Sequence, residues 1–222
     1  MDSTVRFILS LSIGLAVIIG IVRFRRVDPS YYPFIYNAIA SLSVEVLNRI
    51  LNVTGHPDAF TFMLNVYSYI DFFFFLWLFH NWGLFNRKRT TFITIASVFF
   101  ILWIVSNVIF TRFIENNSYF FILYAFALIF FSVNTFNKMV VHERSSIYRN
   151  PKFWICLGII IFYSFFIVVF TTGLSLFEHS MSRVFRSELW KISVYSNLLV
   201  NLLYAVAVIC IPRKKNYTSL SW

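Results

Sequence analysis

Residues 153–170 read FWICLGIIIFYSFFIVVF, 18 positions without a charge, opened by Asn150, Pro151 and Lys152. At about 1.5 Å of rise per residue such a helix covers about 27 Å, close to the hydrocarbon thickness of a bilayer. A soluble helix of this length needs a polar face, and this stretch has none. Six more stretches of the same kind complete a set of seven predicted spans: Phe7 to Val22, Pro33 to Val53, Phe60 to Phe79, Phe92 to Phe110, Tyr119 to Phe136, Phe153 to Phe170 and Leu189 to Ile211.

The 222-residue composition agrees. The chain is 59% hydrophobic, 21% aromatic and 13% charged, with a mean hydropathy of +0.74 and 29 Phe, more apolar surface than a soluble fold can hide. Seven spans at roughly 30 residues each, connections included, use up the chain. The expectation is one domain over residues 1–222, an all-α seven-helix bundle.

Lys and Arg alternate between the two ends of these spans. One end collects Arg23, Arg25, Arg26, Arg87, Lys88, Arg89, Lys138, Arg144, Arg149, Lys152, Arg213, Lys214 and Lys215; the other has Arg6, Arg112, Arg183 and Arg186. Short cytoplasmic loops carry the Lys and Arg excess, so the N-terminus is expected outside and the C-terminus in the cytoplasm. No small-x-small site precedes the cluster at Arg23, so the first span reads as an uncleaved anchor and not as a signal peptide. The formal charge of +10 is explained by these loops and anionic lipid headgroups, and no nucleic-acid partner is expected.

Local signals mark the ends. Asn150-Pro151 reads as a cap before span six, Ser187-Glu188 as one before span seven, and Pro212 as its stop. Trp82, Trp154 and Trp190 fall where an interfacial aromatic belt is expected. Cys156 and Cys210 both map to the cytoplasmic end, which argues against a structural disulfide. The glycosylation patterns at Asn52, Asn116 and Asn216 are what chance produces in an Asn-rich chain.

Polar side chains inside spans are costly, so they mark the place to look for function. Span two carries Asn37, Ser41, Glu45, Asn48 and Arg49 at helical spacing, with Glu45 and Arg49 able to pair at i, i+4. Span three adds Asn65 and Asp71. Span seven carries Glu188, Trp190, Lys191, Ser193, Asn197, Asn201 and Tyr204. Spans four to six offer only scattered groups, among them Ser106, Asn107, Asn134 and Tyr163. If the stripes of spans two, three and seven converge, they line an outward-facing cavity. Its candidate ligand-binding set is Glu45, Asn48, Arg49, Asn65, Asp71, Glu188, Lys191, Asn197 and Asn201. The competing reading is interhelical glue, at about 1 kcal/mol per hydrogen bond.

Several chemistries are disfavoured. A retinal Schiff base needs a Lys deep in the last helix, and Lys191 lies in its first turn. His56, His80, His142 and His179 are too dispersed for haem or di-iron, so no metal or other cofactor is expected. No Ser has a Gly-flanked nucleophile setting. No span is broken at its centre by Pro or a Gly pair, and no internal repeat is visible, which weakens a carrier.

Asn81-Trp82-Gly83-Leu84-Phe85, Glu188-Leu189-Trp190-Lys191 and Asn201-Leu202-Leu203-Tyr204-Ala205 carry a resemblance to small uncharacterised seven-helix proteins of Bacteroidota. The resemblance implies a bacterial inner-membrane bundle and brings no activity with it. The expected role is receptor-like. A small ligand or lipid binds the outer cavity, and a separate cytoplasmic or membrane signalling protein docks on the basic loops, at Arg87 to Arg89, His142 to Asn150 and the tail from Arg213. The alternatives are a small-solute or proton-coupled transporter using Glu45 and Asp71, and, behind it, a lipid-modifying enzyme built on the same two acids.

Overall fold

All seven apolar stretches become helices in the computed structural model, which describes residues 3–86, 88–111, 113, 115–142, 147–172, 174 and 182–214. Arg87, Arg112, Arg144, Lys215, His179 and the Asn216 pattern lie outside the described residues. Among those described, seven helices are long and apolar enough to cross a membrane. Span one is made of α1 (Ser3–Ser10) and α2 (Ile13–Arg23). It is followed by α3 (Tyr32–Thr54), α4 (Pro57–Asn81), α5 (Arg89–Val105), α6 (Ser118–His142), α7 (Pro151–Thr171) and α8 (Arg183–Cys210).

The ends follow from local chemistry. Asn150 caps α7, its side chain accepting from the Lys152 N–H with Pro151 at the first position, as the sequence predicts. Helix α8 starts earlier than Ser187 suggests, because Ser182 provides the cap, accepting from the Phe185 N–H at 3.2 Å. Span one breaks at Leu11–Ser12 without Pro. Ser10 and Ser12 hydroxyls donate back to the carbonyls of Phe7 and Leu9, and the turn tightens there. Past Val105 the chain continues as a π-helical turn, Ser106–Thr111.

Helix α8 lies along α7 and α2, α7 along α6, α2 along α3 and α3 along α4; α4 then meets α6 and closes a ring. Helix α5 has no buried residue and flanks α4 from outside. Inside the ring are Phe34, Phe72, Phe75, Leu76, Phe79, Phe121, Leu128, Ile155, Ile159 and Tyr204. The outer surface is apolar, with Ile8, Ile18, Val22, Phe110, Phe126 and Phe130 exposed, whereas Asn37, Asn65, Asp71, Asn107, Asn117 and Asn201 are buried. A polar interior inside an apolar exterior suits lipid as the surrounding solvent. Of the expected belt residues, Trp190 is exposed, but Trp82 turns inward between Tyr31 and Phe79, because its position after α4 sets it against the core.

Arg23 fastens α2 to α8 at the basic end. Arg23 donates to the carbonyls of Val208, Ile209 and Ile211 at 2.6, 2.5 and 3.0 Å, covering the C-terminal end of α8, where the helix dipole favours a cation. Beside it Val27 bridges Arg213, and the Lys214 N–H donates to the Arg26 carbonyl at 2.7 Å. Arg23→Gln is expected to destabilise the protein by about 2 kcal/mol, since charged hydrogen bonds to otherwise open carbonyls are lost. Thermal unfolding in detergent checks this, and an unchanged midpoint would refute it.

Candidate functional site

Helix α4 buries Asn65, Ser68, Asp71, Phe72, Phe75, Leu76 and Phe79, a face at three- and four-residue spacing. That face carries Asp71 into the bundle, where it is only 5% exposed. It stands ten residues before the end of α4 at Asn81, about 15 Å from the basic end. Three side chains donate to it. Asn37 of α3 reaches Oδ1 at 2.9 Å, Tyr67 of α4 reaches the same oxygen at 3.4 Å, and the Tyr163 hydroxyl of α7 bonds Oδ2. One carboxyl group therefore joins spans two, three and six.

Helices α3 and α4 run antiparallel, so their polar residues come into register. Asn37 faces Asp71, Ser41 faces Tyr67, and Glu45 lies a turn farther out, within electrostatic reach of Tyr67. Glu45 in turn meets Ser10 and Arg6 of α1. The result is a ladder of polar side chains from Arg6, at the end opposite the basic one, through Glu45, Ser41 and Tyr67, to Asp71. Toward the basic end Phe75 stands edge-on to Tyr163 at 6.2 Å and Phe34 packs edge-on against Tyr204 at 5.1 Å, while Tyr124, from the opposite half of α6, packs on the Tyr163 ring at 5.7 Å.

The remaining predicted residues fall into other environments. Arg49 lies over the Phe7 ring at 5.6 Å, and Arg6 over Trp190 at 5.1 Å. Asn48 accepts from Asn52 of the same helix. Glu188 and Lys191 pair with each other at 2.6 Å on the exposed first part of α8. Asn201 donates to the Ser12 hydroxyl at 2.9 Å, and Asn197 is half-buried. Glu45 and Arg49 of span two and Asn201 of span seven thus meet span one, which runs between those helices, while Asn37 and Ser41 face span three and α7 supplies a further partner to Asp71.

Asn65 works as a fastener. Its amide donates to the Glu115 carbonyl at 2.9 Å and accepts from the Asn117 N–H at 3.2 Å, while its own carbonyl accepts from the Trp103 indole at 2.8 Å. Asn117 extends this network by accepting from Ser106 at 2.6 Å. The sequence pattern leaves Tyr163 among scattered groups and does not mark Tyr67, Arg6 or Ser10. Tyr67 is within reach of that pattern, since it precedes Asp71 by one turn. No family model, curated protein or solved structure matches this chain. Two clefts, of about 380 and 580 Å³, lie at the basic end, the smaller lined by Trp82, Asn86, Thr135, Lys138 and Lys152.

Proposed function

We propose that this is a multi-pass bacterial inner-membrane protein of receptor type, related to the seven-helix proteins of Bacteroidota, with its N-terminus outside. A small molecule or lipid engages the outer part of the polar ladder around Arg6, Glu45 and Arg49. Occupancy reaches Asp71, whose hydrogen bonds set the relative positions of α3, α4 and α7. Those helices carry the change to the basic end, where a separate signalling protein docks.

The observation that supports this reading is the Asp71 junction itself. It is connected outward by polar groups and packed by aromatic rings toward the basic end. A carrier needs access from both sides, and Asn134, in the basic half of α6, donates to the Phe130 carbonyl of its own helix at 3.0 Å.

Cysteine accessibility tests it. In a Cys156→Ser, Cys210→Ser background, Ser41→Cys on the ladder and Ser132→Cys, buried in the basic half of α6, are near-isosteric probes. In sided membrane vesicles a membrane-impermeant thiol reagent is expected to modify Ser41→Cys from the outside alone and Ser132→Cys from neither side. Modification of Ser132→Cys from the cytoplasmic side together with Ser41→Cys from both would establish the transporter alternative. Reversed sidedness would overturn the orientation.

A further inference from the structure

The larger cleft, about 580 Å³, runs between α2 and α3 and is lined by Ile21, Val22, Phe24, Arg25, Arg26, Tyr36 and Ile39. We propose that it holds one anionic phospholipid, with the phosphate on Arg25 and Arg26 and an acyl chain along Ile21, Val22 and Ile39. The argument begins with charge. Both arginines are exposed, and among the described residues neither guanidinium has a carboxylate partner. Asp28, the nearest acid in the chain, already accepts from the Ser30 N–H at 2.9 Å. Guanidinium groups bind phosphate through paired N–H donors, and basic pockets between spans at the membrane surface select anionic headgroups.

Position comes next. Arg25 and Arg26 sit on a short 3₁₀ turn, Phe24–Arg26, directly after α2. The Arg26 carbonyl is held by Lys214, and Phe24 stacks on Tyr32 at 4.6 Å, so the backbone bearing both arginines is fixed. Ile21 and Val22, 57% and 78% exposed, continue the groove along α2 away from the charges. Gly20 brings the two helices together beneath it, since a Cβ there would lie 3.2 Å from Ile35. Apolar walls below two arginines match an acyl chain below a phosphate. A free phosphate ion would use the arginines alone.

This inference rests on the membrane reading and not on the receptor reading. The experiment is native mass spectrometry of the full chain in detergent, titrated separately with dioleoylphosphatidylglycerol, dioleoylphosphatidylcholine and inorganic phosphate, with thermal unfolding read alongside. Wild type is expected to retain one phosphatidylglycerol in preference to phosphatidylcholine. Arg25→Gln with Arg26→Gln is expected to weaken that adduct about thirtyfold, as two headgroup-facing cations are lost. Arg25→Lys with Arg26→Lys, which keeps the charge and loses the paired donors, is expected to fall between wild type and the Gln pair, and Arg213→Gln with Lys214→Gln, an equal charge loss at the same end, leaves it unchanged. Val22→Trp, which fills the groove and keeps both arginines, is expected to lose the lipid.

Equal losses in the two Gln pairs, or no preference between the two lipids, would overturn the site. Phosphate stabilising wild type and Val22→Trp alike, with Val22→Trp still retaining phosphatidylglycerol, would assign the arginines to a soluble phosphate and overturn the lipid.

Discussion

Asp71→Leu is expected to destabilise the detergent-solubilised protein by about 3 kcal/mol, the larger of two effects at this position. The carboxyl group accepts from Asn37, Tyr67 and Tyr163, and Leu leaves those donors facing hydrocarbon. A hydrogen bond between membrane helices contributes about 1 kcal/mol, and a buried donor left without an acceptor costs about as much or more. Asp71→Asn keeps the shape and one acceptor oxygen, and the Tyr163 hydroxyl can rotate to accept from the new amide. Its expected cost is about 1 kcal/mol. Adding Tyr163→Phe to Asp71→Leu removes one stranded donor, so the double variant is expected to be more stable than the sum of the two single losses predicts. Unfolding midpoints of the four proteins decide it. Additive losses, or an Asp71→Leu midpoint equal to wild type, would mean that the junction does not hold these helices together.

Much of this arrangement is legible in the sequence, because each signal is a one-dimensional property of the chain. A run such as Phe153 to Phe170 can satisfy its backbone in lipid only as a helix, so the seven spans follow from length and hydropathy. Asp71 stands out because a carboxyl group in a span needs partners. Rotation about the bundle axis is not legible in the same way. Glu45 and Asn201 lie on clear polar stripes, and those stripes give no sign that span one comes between them and meets them at Ser10 and Ser12. Tyr163 is hidden for a related reason: amid the aromatic residues of span six nothing in its spacing distinguishes it, and only the packing of α7 aims its hydroxyl at Asp71. The pair Glu188 and Lys191 reads as cavity lining because charge near a helix start suggests a site. At i, i+3 on an exposed turn the two charges satisfy each other first.

A second large effect is expected at Gly158, where two opposing contributions can be compared by size. A Cβ built there would overlap Cε1 of Tyr204 and lie 3.0 Å from Cδ1 and 3.2 Å from Cζ, inside van der Waals contact. Replacing Gly by Ala within a helix ordinarily stabilises it by about 1 kcal/mol. Here the ring cannot swing aside, because Tyr204 is 8% exposed and stands edge-on to Phe34 at 5.1 Å. Helix α8 must then move away from α7, against which it packs closely. Overpacking of this kind costs about 1–3 kcal/mol before the lost contacts are counted, so the clash outweighs the propensity and Gly158→Ala is expected to be net destabilising. The displacement also pulls on the Arg23 clamp at the end of α8, coupling the α7–α8 contact to span one. Tyr204→Leu removes the clashing ring atoms, so Gly158→Ala combined with Tyr204→Leu is expected to unfold at a higher temperature than Gly158→Ala alone. If Gly158→Ala instead matches or exceeds wild type, the helices are not held at this distance by glycine. If the double variant gains nothing over the single one, the clash is not with Tyr204.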